Sequence, residues 1–258
     1  MYLEHPSFNT KACDELCRNI AKKSNGVCFL GFSRGKDSVC AWLQLRRYFH
    51  RIIPVHCCEV PHMPHVDAAL DYYEEQFGEH ILRMQSPQIY TDIKNLVYQL
   101  PDDEEFIDNW DVPAEDTLKP VFDHLRYLYK LPRAWVAFGI NMSDSMQRRI
   151  FVKQRQGVSA ESKNFYPCWD WSHDNIISTI EESGLKLAPD YNFVNRTIDS
   201  TPSVRWLEPF RKAYPKGYEK LERWFPLAWA DVVRMEYRHE QAVREAEKRG
   251  GNEERKQG

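Results

Sequence analysis

Val27 to Trp42, VCFLGFSRGKDSVCAW, is the stretch that decides how this chain is read. An apolar run from Val27 to Phe32 leads into Ser33-Arg34-Gly35-Lys36-Asp37-Ser38. The apolar spacing of Val39, Cys40, Trp42 and Leu43 then opens a helix. A strand, a short polar turn carrying a lysine, and a helix form an arrangement suited to phosphate. The N–H groups of a first helical turn have no partners inside the helix and face an anion, which the helix dipole also favours. Ser33 and Ser38 add hydroxyl donors, Lys36 adds a point charge, and Gly35 lets the backbone come close.

Two plainer readings compete. A Walker A loop needs a longer gap between its glycines and a Ser or Thr after the lysine. Here only three residues separate Gly31 from Gly35, and Asp37 follows Lys36, so that loop is excluded. An ordinary turn capped by Asp37 and Ser38 would not need all six residues of this kind together.

Working outward, Thr10 to Lys23 reads as an amphipathic helix stopped by Asn25-Gly26. Ile52 to Cys57 reads as a second strand, with Pro54 pointing to an edge or a strand start. Val66 to Phe77 reads as a helix ended by Gly78, Ile81 to Met84 as a third strand, and Ala134 to Ile140 as a fourth. This alternation predicts an α/β fold with a doubly wound, mostly parallel five-stranded sheet. Residues 1–163 form its nucleotide-binding unit, interrupted by a helical insertion over 88–132 that suits a lid or a subunit surface. Residues 164–239 form a more irregular, aromatic-rich region, and 240–258 a charged helix fraying into a disordered tail.

The chain has 258 residues, 42% hydrophobic and 28% charged, with net charge −3, so one α/β core fits and no basic field argues for nucleic acid. No apolar run is long enough to span a membrane. The N-terminal MYLEHPSFNTKACDEL lacks a signal pattern, so the expected location is the cytoplasm. Seven cysteines without framework spacing fit reduced thiols. Residues 88–132 and the aromatic C-terminal third offer surfaces for a homodimer.

In open α/β sheets, ligands bind beyond the carboxyl ends of the strands. Strand two ends Val55-His56-Cys57-Cys58-Glu59-Val60-Pro61-His62-Met63-Pro64-His65. Neighbouring strand residues face opposite ways and the spacing is not that of zinc ligands, so a metal is not expected there. Strand four ends Gly139-Ile140-Asn141-Met142-Ser143-Asp144-Ser145-Met146-Gln147-Arg148-Arg149. It offers a glycine for close approach, polar groups at a helix start, and an arginine able to grip phosphate. The plainer alternative is a helix capped by Ser143 with a solvated Arg148-Arg149 pair.

The hexapeptide from Ser33 to Ser38 resembles the pyrophosphate loop, S-G-G-K-D-S, of the PP-loop ATP pyrophosphatase and phosphoadenosine phosphosulfate (PAPS) reductase superfamily, with Arg34 in place of the first glycine. The strand-four segment resembles the family's G-x-R-x-x-E-S-x-x-R, with Asn141 for Arg and Asp144 for Glu. Pro167 to Ile177 resembles its Pro-x-x-Asp-Trp-Ser segment, with Ser172 as helix cap. Asn195-Arg196-Thr197 through Leu227 is similar to phage-encoded members, whose location would be the host cytoplasm. The family has an acidic-Thr-Gly turn where Cys58-Glu59-Val60 stand, and contacts the adenine edge there through backbone atoms.

The resemblance implies an adenine nucleotide alpha hydrolase-like fold that binds ATP or PAPS with Mg²⁺. The implied site is Phe32, Ser33, Arg34, Gly35, Lys36, Asp37, Ser38, Cys58, Glu59, Gly139, Asn141, Ser143 and Arg148. Lys36 and Arg148 would neutralise charge, and Asp37 would meet the metal. No cysteine follows Cys168, so the C-terminal nucleophile of a PAPS reductase is missing. The chemistry expected is cleavage of ATP between its α- and β-phosphates, with adenylyl transfer to an unidentified acceptor. A sulfonucleotide enzyme using another protein's thiol, and a non-catalytic nucleotide-binding module, are the alternatives.

Overall fold

The computed structural model describes residues 8–111, 117–143, 145–194, 197 and 204–254. In chain order its elements are α1 (Lys11–Lys23), β1 (Val27–Gly31), α2 (Lys36–Leu45), β2 (Arg51–Cys58), α3 (Pro64–Phe77), β3 (Leu82–Gln85) and α4 (Gln88–Lys94). A 3₁₀ turn (Pro101–Asp103), α5 (Glu104–Asn109), α6 (Lys119–Leu128), β4 (Trp135–Phe138), α7 (Met146–Gln154), β5 (Val158–Ser159) and β6 (Asn164–Phe165) follow. Then come α8 (His173–Ser183), α9 (Tyr191–Val194), α10 (Val204–Ala213), α11 (Pro215–Trp224) and α12 (Ala228–Glu254).

The sheet runs β3-β2-β1-β4-β6-β5, parallel except for the β5–β6 pair. It has six strands rather than five, because two-residue strands such as β5 and β6 carry no readable period. Side chains alternate across β1. Cys28 and Leu30 enter the larger core beneath α1, α2, α3 and α8, while Phe29 enters a second core with Ile53, Val55 and Val136. Burial on both faces is why these strands read as continuous apolar runs.

Two expectations change. Pro54 is fourth in an eight-residue strand, with neighbours on both sides. Val55 O accepts from Phe32 N on the β1 side at 2.8 Å, so Pro54 turns its missing donor toward β3, whose pairing begins only at Val55. Within 88–132, α6 is no insertion: its Phe122 and Leu125 cover the second face of the sheet, as a crossover helix between parallel strands must. From the region 164–239, Phe165, Trp171, Ile176, Leu207, Phe210 and Phe225 pack into the same core as Leu30 and Phe32. The charged C-terminal segment is continuous with α12 as far as Glu254.

From β1 the chain steps outward to β2 and β3, then returns on the other side of β1 as β4. That reversal opens a crevice beyond the carboxyl ends of β1 and β4, where an α/β sheet receives its ligand.

Candidate functional site

The turn after β1 and the turn after β4 meet at this crevice. Gly35 is the cap of α2, in extended conformation (φ −77°, ψ 158°), and its carbonyl accepts from Ser38 N at 3.0 Å and Ser38 Oγ at 2.8 Å. Ser33 is exposed and its hydroxyl reaches Ser38 Oγ at 3.3 Å. Lys36 Nζ donates to both Asp37 oxygens, at 2.8 and 2.7 Å. Asn141, buried at the end of β4, donates from Nδ2 to Asp37 Oδ1 at 2.8 Å. Its own Oδ1 accepts from Ser143 N at 2.9 Å and from the Ser143 hydroxyl. Lys36, Asp37, Asn141 and Ser143 thus form one network across the crevice.

Gly139 makes that junction possible. A Cβ there would lie 2.5 Å from the carbonyl carbon of Asp37 and from Ser38 N, which are backbone atoms and cannot swing aside. The close approach anticipated for this glycine is therefore to the start of α2.

Other predicted site residues are placed differently. Arg34 adopts φ 63°, the left-handed region normally left to glycine. Its side chain is 0% exposed and paired with Asp190, also 0% exposed, at 3.2 Å, so Arg34 contributes only backbone to the loop mouth. Phe32 is a core ring, packed edge-on to Tyr73 and Phe77 at 5.1 and 5.4 Å, and its carbonyl meets His56 Nδ1 at 2.9 Å. The Cys58 carbonyl accepts from Ser86 N and Gln85 Nε2, and the Glu59 carbonyl accepts from Gln85 Nε2 at 2.7 Å. Those two carbonyls hold β2 to the turn after β3. Ser145, not Ser143, caps α7, its hydroxyl accepting from Arg148 N, and the Arg148 side chain is exposed on the first turn. Asp144, Asn195 and Arg196 lie outside the described residues.

Sequence reasoning missed Asp190 and Tyr191. Asp190 holds Arg34, and the Tyr191 hydroxyl accepts from Lys36 N at 3.0 Å. These partners are more than 150 residues from the loop, and no local pattern joins the two segments. Around Asp190, His65 approaches at 4.0 Å and stacks on Tyr214 at 4.3 Å. Burial, and then the Asp190 carboxylate, pushes the Tyr214 phenol up to about 12.

At six of the seven cysteines burial disfavours the thiolate. Burial pushes Cys13 and Cys57 up to about 12 and raises Cys17, Cys28, Cys40 and Cys168 as well. A cavity of about 230 Å³ opens beyond β2 and β3, lined by His56, Cys58, Val60, Leu70, Met84 and Gln85 among others. Among the described residues no cluster of three or more His, Cys, Asp or Glu side chains forms a metal site, and no helix is long and apolar enough to cross a membrane.

The sequence matches no protein-family profile, and no curated protein matches it. Among solved structures, the chain is similar to the U34-tRNA thiolase NcsA of Methanococcus maripaludis, with 15% identity and a TM-score of 0.43 over 84% of this chain and 78% of that one. It is also similar to the NH3-dependent NAD synthetase of Campylobacter jejuni, with 17% identity and a TM-score of 0.41 over 87% of this chain and 93% of that one.

Proposed function

We propose that this chain binds the tail phosphates of ATP, with Mg²⁺, in the Ser33–Ser38 loop and transfers the adenylyl group to an acceptor. The observation that carries the reading is the Lys36–Asp37–Asn141 network at the crevice between β1 and β4. A cation and a carboxylate beside a helix N-terminus are the groups that a magnesium-bound pyrophosphate requires. The resemblance of the loop to the PP-loop sequence supports the same reading.

Magnesium would supply positive charge to the phosphate oxygens, and Asp37 is the carboxylate suited to hold it. Lys36 would leave Asp37 to neutralise the departing pyrophosphate, while Asn141 keeps the Asp37 carboxylate aimed into the crevice. An acceptor nucleophile forms a bond to the α-phosphorus, the bond from that phosphorus to the α–β bridging oxygen breaks, and pyrophosphate leaves with the bond electrons. The acceptor's proton passes to solvent. Positioning and charge do most of this work, so no strong general base is needed.

Reduction of a sulfonucleotide by an internal thiol is disfavoured. No cysteine follows Cys168, and burial holds Cys57 near 12 and Cys168 well above its ordinary value. The test is product analysis with labelled Mg·ATP and a panel of acceptors, beside PAPS with thioredoxin. Pyrophosphate and an adenylylated acceptor are expected, with AMP appearing once a second nucleophile or water displaces it. ADP with phosphate, or sulfite from PAPS, would overturn the assignment.

A further inference from the structure

Arg34 stands where the loop turns through φ 63°. For a residue with a Cβ that left-handed conformation is disfavoured about 5- to 30-fold in population, whereas glycine takes it freely. Among the described residues, the other non-glycine positions with positive φ, such as Asn25, His62, Lys130 and Gln156, are exposed or half-buried. Arg34 alone of them is buried, with 0% exposure. Its side chain is therefore part of what the turn is built on.

Backbone hydrogen bonds anchor the loop on either side of this residue. Before it, Phe32 N donates to Val55 O at 2.8 Å; after it, Gly35 O accepts from Ser38 N and Val39 N at 3.0 and 3.1 Å. At Arg34 the side chain reaches into the body, where Nη2 donates to Asp190 Oδ2 at 3.2 Å, and both side chains are 0% exposed. The Tyr73 hydroxyl comes within 3.5 Å of the Arg34 carbonyl, at the limit of a hydrogen bond. A strained turn persists only where its surroundings over-determine it. A buried charge that swung away from its partner would stand uncompensated, so the pair ties the turn to the segment before α9. That segment meets the loop again two residues on, where the Tyr191 hydroxyl accepts from Lys36 N at 3.0 Å.

We propose that Asp190 is a positioning residue of the phosphate site: acting through Arg34, it holds the left-handed turn that a glycine would adopt unaided, and so sets Lys36 and Asp37 at the crevice. This rests on the phosphate-binding reading of the loop and deepens it. Asp190 is itself fully buried, so its part is the geometry of the loop and not contact with the ligand. The ion pair does here what the first glycine does in the S-G-G-K-D-S loop that this stretch resembles.

The test is calorimetric titration of the full chain with inorganic pyrophosphate, Mg·ATP and AMP, comparing the natural sequence with Arg34→Met/Asp190→Asn and Arg34→Gly/Asp190→Asn. Both variants lose the ion pair without stranding a charge, and they differ only in whether position 34 carries a side chain. Arg34→Met/Asp190→Asn is expected to bind pyrophosphate and Mg·ATP about 5- to 30-fold more weakly, the population cost of the unheld turn. Arg34→Gly/Asp190→Asn is expected to stay close to the natural sequence, a rescue that a purely structural pair would not give. AMP, which has no tail phosphates, is expected to bind all three alike. Natural pyrophosphate affinity in Arg34→Met/Asp190→Asn would overturn the inference while leaving the loop reading intact. An equal loss in both variants, or a parallel loss for AMP, would overturn it too. Should Arg34→Met/Asp190→Asn fail to fold, weak pyrophosphate binding by folded Arg34→Gly/Asp190→Asn overturns the inference and natural binding supports it. Failure of the natural sequence to bind pyrophosphate or Mg·ATP would remove the loop reading and this inference with it.

Discussion

Asn141 aims a single amide at the Asp37 carboxylate, 2.8 Å away, and is itself fixed by Ser143. A hydrogen bond to a charged group contributes about 1.5–3 kcal/mol. Asn141→Leu is therefore expected to lower kcat/KM for pyrophosphate release by about 10- to 100-fold, measured by steady-state assay. Lys36→Ala removes the cation beside the leaving group and is expected to cost about 100- to 1,000-fold in kcat. A third residue-scale prediction concerns the Cys57 thiol. Its value moves from 9.0 to about 12, with desolvation the main cause, so the folded state favours the neutral thiol. That contribution is complete below pH 9 and is lost as pH rises toward 12. Iodoacetamide at pH 8 should leave Cys57 unmodified in the folded chain and label it once urea unfolds the protein, as peptide mass spectrometry would show. The loop was legible at this scale because its six residues are contiguous. The partner of Arg34 was not, since Asp190 is 156 residues away and a buried ion pair has no local periodicity.

At the scale of elements, two junctions carry the site: β4 against the start of α2, and the turn before α9 against the loop. Gly139→Ala would press a Cβ into backbone at 2.5 Å, an overpacking that costs about 1–3 kcal/mol and shifts Asp37. Urea unfolding should show that loss, and nucleotide affinity should fall in the same variant. Arg34 and Asp190 are a matched pair. Removing either alone leaves a buried charge and should destabilise by about 3–5 kcal/mol, while the double substitution Arg34→Gly/Asp190→Asn should cost less than the sum. Glycine also relieves the left-handed backbone at this position (φ 63°). Strands β1 and β4 were readable because their apolar runs are bounded by glycine, at Gly26 and Gly31 and at Gly139. Pro54 misled because its consequence depends on where β3 begins, which its own strand does not record. Helix α6 was taken for an insertion because an amphipathic crossover and an amphipathic appendage share one pattern.

Over the whole molecule, the larger of the two cores extends from Cys13 to Val232, so the C-terminal helices pack into the same body as the sheet. Asp190 and Tyr191 reach the loop because α8 packs against α2 and α11 against α3, anchoring the chain on both sides of α9. The crevice between β1 and β4 follows from the strand order of the sheet; the contacts that Asp190 and Tyr191 make with the loop did not follow from any motif. The most direct test is titration of isotope-labelled protein with Mg·ATP, following backbone amide resonances. Saturable shifts concentrated at Gly35, Lys36, Asp37 and Ser38 are predicted. Silence at those amides while residues lining the cavity beyond β2 and β3 respond would contradict the account.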